Sequence, residues 1–275
     1  MLRIGRIDYA NCTPLFMQLE SSLPPDSTEI VRGVPATLNS SLAKGEIDIC
    51  ISSSIEFTRH SDEYSILPGN CIGSDGSVRS VLFFSSRPVE ELSGQQFLVT
   101  SESATSVILL QILLIKRWGL SDCSLNKTSL PWNEAMQQTN GLLLIGDNAL
   151  KAASAAPTPY CYDLGKEWKE LTGLPFVYAL WLINRKSSKG KEEALTCLLA
   201  MIDQARENIS SDADILALKA PESSWITPAT LSDYWKNSIT YNLDRRHLAG
   251  LQMFYQLAAE LNLISDIPEP VFFPV

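Results

Sequence analysis

The sequence predicts an α/β protein built as two lobes with a ligand cleft between them. Three observations carry that expectation. Short apolar runs alternate with helix-like stretches from the N-terminus, and the alternation starts afresh after a Ser- and Pro-containing crossover near residue 88. After a return strand near Val177, the remaining third reads as helix. Alternating β-α-β-α order favours an open parallel sheet, whose crevice lies outside the C-terminal ends of its strands. The expected lobes are residues 1–87 with 178–275, larger and discontinuous, and residues 88–177 inserted between them.

Each element has a local reason. Leu2–Ile7 is a short apolar run ending in the turn-prone Asp8-Tyr9-Ala10-Asn11, and Thr13-Pro14 then opens a helix to about Leu19. Glu29–Val31 is a second strand, and Pro35 starts a helix over Val34–Leu42 that Gly45 closes. Ile47–Ile51 is apolar enough to be buried on both faces, and Ser52-Ser53-Ser54 caps a helix over Ile55–Arg59. Gly73–Gly76 reads as a loop, too sparse in glycine for a phosphate loop, and Val78–Phe84 as the last strand of the first lobe.

The second lobe reads as strand Phe97–Val99, helix Ala104–Trp118, helix Asn133–Gln138, strand Leu142–Ile145 and helix Asp147–Ala153. Ala156–Pro159 breaks the pattern before helix Gly165–Leu171. Val177–Ile183 returns to the first lobe, followed by helices Lys191–Ile209, Asp212–Leu218, Pro228–Ser238 and Arg245–Asn262. The last carries Leu248, Leu251, Phe254, Leu257 and Leu261 at helical spacing, a core-facing stripe. The apolar, Pro-rich tail Pro268–Val275 is expected to pack extended. This order has the outline of a substrate-binding-protein fold of the periplasmic type II kind.

Composition excludes several functions. A formal net charge of −9 without a long basic cluster argues against nucleic acid or an anionic membrane as the partner. The six cysteines show no C-x-x-C and no metal-ligand spacing, and with two histidines far apart a zinc site is not expected. Cysteine usage points to the reducing cytosol. Asp8 and Asn11 interrupt the apolar segment that an export signal needs, and no apolar run reaches the ~18 residues of a membrane span. His60 and His247 read as surface residues, and no Ser-His-Asp, P-loop or H-E-x-x-H signature is present.

The richest stretch is Thr100–Leu114, five hydroxyl residues and Glu102 running into apolar sequence. Ser103, Thr105 and Ser106 exceed what a single helix cap requires, so they form a candidate seat for an anion at the positive end of a helix. The topology sends Asn11, Ser54, Ser80, Ser103, Thr105, Ser106 and Asp147 to the cleft. They are mostly neutral hydrogen-bonding groups, suited to orienting an anionic substrate and stabilising developing charge. Asp147 also suits an N-cap. Trp132, Trp168 and Trp181 are expected in the core, with one available to wall the cleft.

An ordered series of short motifs resembles a known family. It comprises Gly5-Arg6-Ile7-Asp8-Tyr9-Ala10-Asn11-Cys12-Thr13-Pro14-Leu15, Gly45-Glu46-Ile47-Asp48-Ile49, Ser54-Ile55-Glu56-Phe57 and Ser74-Asp75-Gly76-Ser77-Val78-Arg79-Ser80-Val81. Ser103-Ala104-Thr105-Ser106-Val107, Leu144-Ile145-Gly146-Asp147-Asn148-Ala149-Leu150, Tyr162-Asp163-Leu164-Gly165-Lys166-Glu167-Trp168 and Leu174-Pro175-Phe176-Val177-Tyr178-Ala179 follow in family order. Together they resemble the menaquinone-biosynthesis family that includes the chorismate dehydratase of the futalosine pathway. Ser77 stands where that family commonly has proline, which leaves Ser80 in place.

The resemblance implies a cofactor-free lyase removing water from chorismate, a dicarboxylate, to give 3-[(1-carboxyvinyl)oxy]benzoate. It implies Asn11 and Ser80 as the catalytic pair. Ser54, Ser103, Thr105, Ser106 and Asp147 are then expected around the substrate, with the Ser103–Ser106 helix start on a carboxylate. Arg79 and Arg87, near the expected cleft or hinge, are each open to two readings, a contact to the second carboxylate or a solvated surface role. Two rivals stand beside this reading. One is the sister enzyme that cleaves cyclic dehypoxanthine futalosine, which resembles this fold and uses a histidine base in its second lobe. The other is a solute-binding protein for a small carboxylate.

Overall fold

The computed structural model describes residues 1–155 and 158–274. The chain opens as expected, with β1 (Leu2–Ile7), α1 (Thr13–Ser22), β2 (Thr28–Gly33), α2 (Pro35–Ala43), β3 (Ile49–Ser53) and α3 (Ser54–Arg59). β1 lies between β2 and β3 and is parallel to both. Pro14 and Pro35 sit in the first turns of α1 and α2, where a missing N–H costs nothing. Gly45 takes the left-handed φ of +70° that closes α2.

The next strand, β4 (Tyr64–Ser74), has no counterpart in the sequence reading and runs into the expected Gly73–Gly76 loop. Its pairing register jumps from Cys71 to Ile66 against successive partners Leu180 and Leu182, so the segment holding Pro68-Gly69 bulges out of the ladder. A proline is tolerated there because no ladder bond is required of it.

The second half of the fold contains β5 (Val81–Ser85), β6 (Gln96–Thr100), α4 (Ala104–Ile112), β7 (Ser124–Thr128) and α5 (Trp132–Ala135). β8 (Gly141–Ile145), α6 (Gly146–Ala155), β9 (Tyr160–Asp163) and α7 (Leu164–Thr172) complete it. Strand β5 pairs antiparallel with both β8 and β9, so it belongs to the second sheet, ordered β7-β6-β8-β5-β9. The crossover between sheets therefore precedes Val81 instead of falling near residue 88. The boundary drawn from sequence missed this because strand partners are set by contacts far along the chain. α4 widens into a π-helical turn over Leu113–Arg117, within the span expected to be helical. The break expected at Ala156–Pro159 lies partly outside the described residues.

The return strand β10 (Phe176–Asn184) runs antiparallel between β3 and β4, so the first sheet is mixed, not parallel throughout. α8 (Glu192–Lys219) is one continuous helix where two were expected. Ile209, Ala213 and Ala217 are buried at four-residue spacing across Ser210-Ser211, and that packing carries the helix through the polar pair. α9 (Pro228–Asn237), β11 (Thr240–Asn242) and α10 (Arg245–Glu260) follow, and β11 joins the edge of β4. The tail packs extended: the Ile66 N–H donates to the Val271 carbonyl at 2.7 Å, and the Phe273 N–H to the Ile66 carbonyl at 2.9 Å. Among the described residues no helix is long and apolar enough to cross a membrane.

The crossover into the second sheet is held by one side chain. Asp163, the N-cap of α7, accepts from the N–H groups of Gly165 (3.0 Å) and Lys166 (3.2 Å). The same carboxylate accepts from Val78 (3.0 Å) and Arg79 (2.7 Å). Arg79 takes a left-handed φ of 63°, a cost that this double anchorage offsets. The next residue is Ser80.

Candidate active site

A cavity of about 70 Å³ lies between the two sheets. The loop after β1 delivers Tyr9 and Asn11, and the end of β3 delivers Ser53. From the other side come Ser80, Glu102, Gly146 and the start of α4 with Ser103 and Ser106. Asn11 and Ser80, read separately in the sequence, thus face one space.

Both are gripped by backbone and side-chain contacts. The Asn11 carbonyl accepts from the Tyr241 hydroxyl at 2.9 Å, and the Ala10 carbonyl from the Trp235 indole at 2.6 Å. The Ser80 carbonyl accepts the Gly146 N–H at 2.7 Å, and the Ser80 hydroxyl lies 2.8 Å from the Tyr234 hydroxyl. Gly146 has φ +55°, and a Cβ there would stand 3.1 Å from the Tyr9 ring. Only glycine lets the β8–α6 turn pass this close to Tyr9.

Two polar atoms at the cavity wall are buried with no hydrogen-bond partner among the described residues, Tyr9 Oη and Asn11 Oδ1. A buried polar atom without a partner costs about 1–3 kcal/mol, so atoms in this state at a cavity wall are poised for a ligand. Burial and the nearby Glu102 carboxylate, as a charge and as an acceptor beyond ordinary hydrogen-bond distance, push the Tyr9 phenol far up, so it is a neutral donor. A second phenol in this state, Tyr178, belongs to a lining residue, but its oxygen stands over Gly165 beside Ser74 at the crossover.

The helix seat keeps part of its expected form. Ser103 caps α4, its oxygen accepting the Ser106 N–H at 3.1 Å, and donates to the Ser106 hydroxyl oxygen at 3.0 Å. The cap takes the Ser106 N–H, and the Ser106 hydroxyl proton is left for the cavity.

Three expected ligand contacts have their polar atoms elsewhere. The Ser54 hydroxyl donates to the Val177 carbonyl at 2.9 Å and lies 3.3 Å from Thr105 Oγ1. Thr105 Oγ1 also accepts the Ile55 N–H at 3.1 Å. Both side chains are buried, and they join the start of α3 to the start of α4 instead of facing the cavity. Asp147 uses Oδ1 to accept the Ala10 N–H at 2.9 Å. Burial raises its carboxyl to about 6, the Ala10 bond opposes that, and Glu222 and Glu102 add to it.

Among the described residues no lysine or arginine lines the cavity, and Glu102 is its one charged side chain. Arg79 pairs with Asp233 at 2.5 Å on the surface, and Arg87 is not at the cavity wall. Neither histidine lines it. His247, expected at the surface, is buried at 6% exposure, its Nδ1 2.7 Å from Asp244 Oδ1 at the start of α10. Trp168 and Trp181 are core residues, and tyrosines instead of tryptophans wall the cleft. Tyr9 was hidden in what reads as a turn motif; its aromatic character among turn residues was the available signal.

Two α/β lobes with a largely apolar cavity between them, carrying a few polar groups, define the two-lobed binding-protein fold. Solved structures of that fold match along nearly the whole chain. The AF1704 protein of Archaeoglobus fulgidus has a TM-score of 0.72 at 19% identity, over 96% of this chain and 98% of that one. The periplasmic aliphatic sulphonate binding protein SsuA of Escherichia coli has a TM-score of 0.69 at 16% identity, over 100% and 94%. The family model described as menaquinone biosynthesis matches residues 2–260, and the chain belongs to that family. A chorismate dehydratase of Thermus thermophilus is 30% identical over 98% of both chains. One of Campylobacter jejuni is 32% identical over 68% of this chain and 70% of its own.

Proposed function

We propose that this chain is a lyase that converts chorismate to 3-[(1-carboxyvinyl)oxy]benzoate and water, with Asn11 and Ser80 as its catalytic pair. The observation that carries the proposal is the meeting of those two residues at one cavity, beside an unpartnered phenol and a helix start. The named activity of relatives matching along the chain supports the substrate.

The chemistry fits this sparse set of groups. The C3 proton is removed, the C3–H electron pair becomes a ring π bond, the C4–O bond breaks with its electron pair on oxygen, and the leaving hydroxide becomes water by taking up one proton, which balances the one lost from C3. Aromaticity supplies the driving force. The substrate's own enolpyruvyl carboxylate takes the C3 proton, while Asn11 and Ser80 hold the ring and hydrogen-bond to the departing hydroxyl. Positioning an intramolecular base is worth about 7–11 kcal/mol in the best cases. The Ser106 hydroxyl and α4 N–H groups take a substrate carboxylate, with Ser103 fixing the turn and Tyr9 as a further donor. Ser54, Thr105 and Asp147 act from behind by joining the two sides of the cleft.

A cavity of about 70 Å³ is small beside the ~300 Å³ lower range of ligand pockets, and parting of the lobes would enlarge it. The free cysteines suit the cytosol. Purified protein mixed with chorismate alone, followed by product mass, tests the reaction. Loss of one water to an aromatic product supports it, and unchanged chorismate contradicts it.

A further inference from the structure

We propose that Tyr234 is a positioning residue that turns Ser80 into a one-way hydrogen-bond donor toward the cavity, an inference that rests on the dehydratase reading above. Tyr234 comes from α9, far from Ser80 in sequence, and both side chains are buried. The Tyr234 hydroxyl donates to Ser80 Oγ at 2.8 Å.

A serine hydroxyl has one proton and rotates to suit its neighbours. With Tyr234 donating to it, Ser80 Oγ already has an acceptor position filled. Among the described residues its own proton has an acceptor only in the Val78 carbonyl at 3.4 Å, too long to hold it firmly. A substrate oxygen in the cavity captures that proton. The chain of donors, phenol to serine to substrate, also polarises the Ser80 O–H and strengthens the bond it gives as charge builds on the leaving oxygen.

Tyr234 is not itself a proton source. Burial pushes its phenol far up, although the Ser80 bond opposes that, so it stays protonated and donates at every working pH. The proton count of the reaction is unchanged, and Tyr234 fixes direction. Without its hydroxyl, Ser80 is free to turn and accept from the substrate's C4 hydroxyl, which gives the leaving group no help.

Steady-state turnover of chorismate by Tyr234→Phe, Ser80→Ala and the double variant tests this. Phenylalanine keeps the ring that packs in the core. The expected result is a kcat fall of about tenfold or more in Tyr234→Phe with KM within about threefold, and no additional loss on the Ser80→Ala background. Tyr255→Phe is the control: it removes another buried phenol, one that donates to the Ser54 carbonyl at 2.7 Å, and should lower stability while leaving kcat within about twofold. A Tyr234→Phe kcat within twofold of wild type, or the same penalty with and without Ser80, overturns the positioning role while the dehydratase reading stands. Failure of the wild-type protein to turn over chorismate overturns both.

Discussion

The Asp147 carboxylate accepts the backbone N–H of Ala10 at 2.9 Å and so ties the start of α6 to the loop that carries Asn11. The bond crosses the cleft, and it places an acid partly out of water. Burial holds the carboxyl near 6, above the ~3.9 of an unfolded chain. The folded state therefore keeps a proton that the unfolded state has released. That contribution is fully present below about pH 4 and is lost as pH rises through about 6.

Asp147→Asn should remove this dependence. An asparagine oxygen still accepts from Ala10, and no charge is buried. The stability of the variant relative to wild type should rise between pH 4 and pH 7 by up to about 3 kcal/mol, measured by denaturant unfolding at each pH. Parallel pH profiles for the two proteins would contradict the buried-acid account.

Thr105 separates a role in joining the lobes from a role in binding substrate. Its oxygen accepts the Ile55 N–H at 3.1 Å inside a fully buried contact. Thr105→Val keeps the shape and leaves that N–H without an acceptor, at a cost of about 1–3 kcal/mol. The expected outcome is a lower Tm with KM for chorismate changed by less than about threefold. An unchanged Tm with a large rise in KM would return Thr105 to the ligand.

Among the described residues Glu102 is the one carboxylate at the cavity wall and so the one candidate for a carboxylate base from the protein. If the substrate carboxylate removes the C3 proton, Glu102→Gln should keep kcat within about tenfold. Loss of a true general base costs about 10²–10⁴-fold. A fall of that size, with loss of a titrating limb in the pH–rate profile, would make Glu102 the base.

Local chemistry made much of this legible in the sequence. The Ser103 cap, the proline starts of α1 and α2, the Gly45 stop and the strand-to-turn edge at Asn11 each follow from a few neighbouring residues. Long-range pairing did not. β4 hides behind the Pro68-Gly69 bulge, and β5 looks like a first-lobe strand until its partners β8 and β9 are known. The site divides the same way. Asn11 and Ser80 were readable through motif resemblance. That Ser54 and Thr105 bond to each other, that Tyr9 lacks a partner, and that Tyr234 reaches Ser80 depend on contacts between distant segments.

The central claim is that Asn11 acts on chorismate in a step that binding alone does not accomplish. Turnover and calorimetric binding of chorismate by wild type and Asn11→Ala test it together. The account predicts product only from wild type, with the variant's Kd within about tenfold, because the lost group acts mainly in the transition state. Product from Asn11→Ala at a rate within about tenfold of wild type would contradict it.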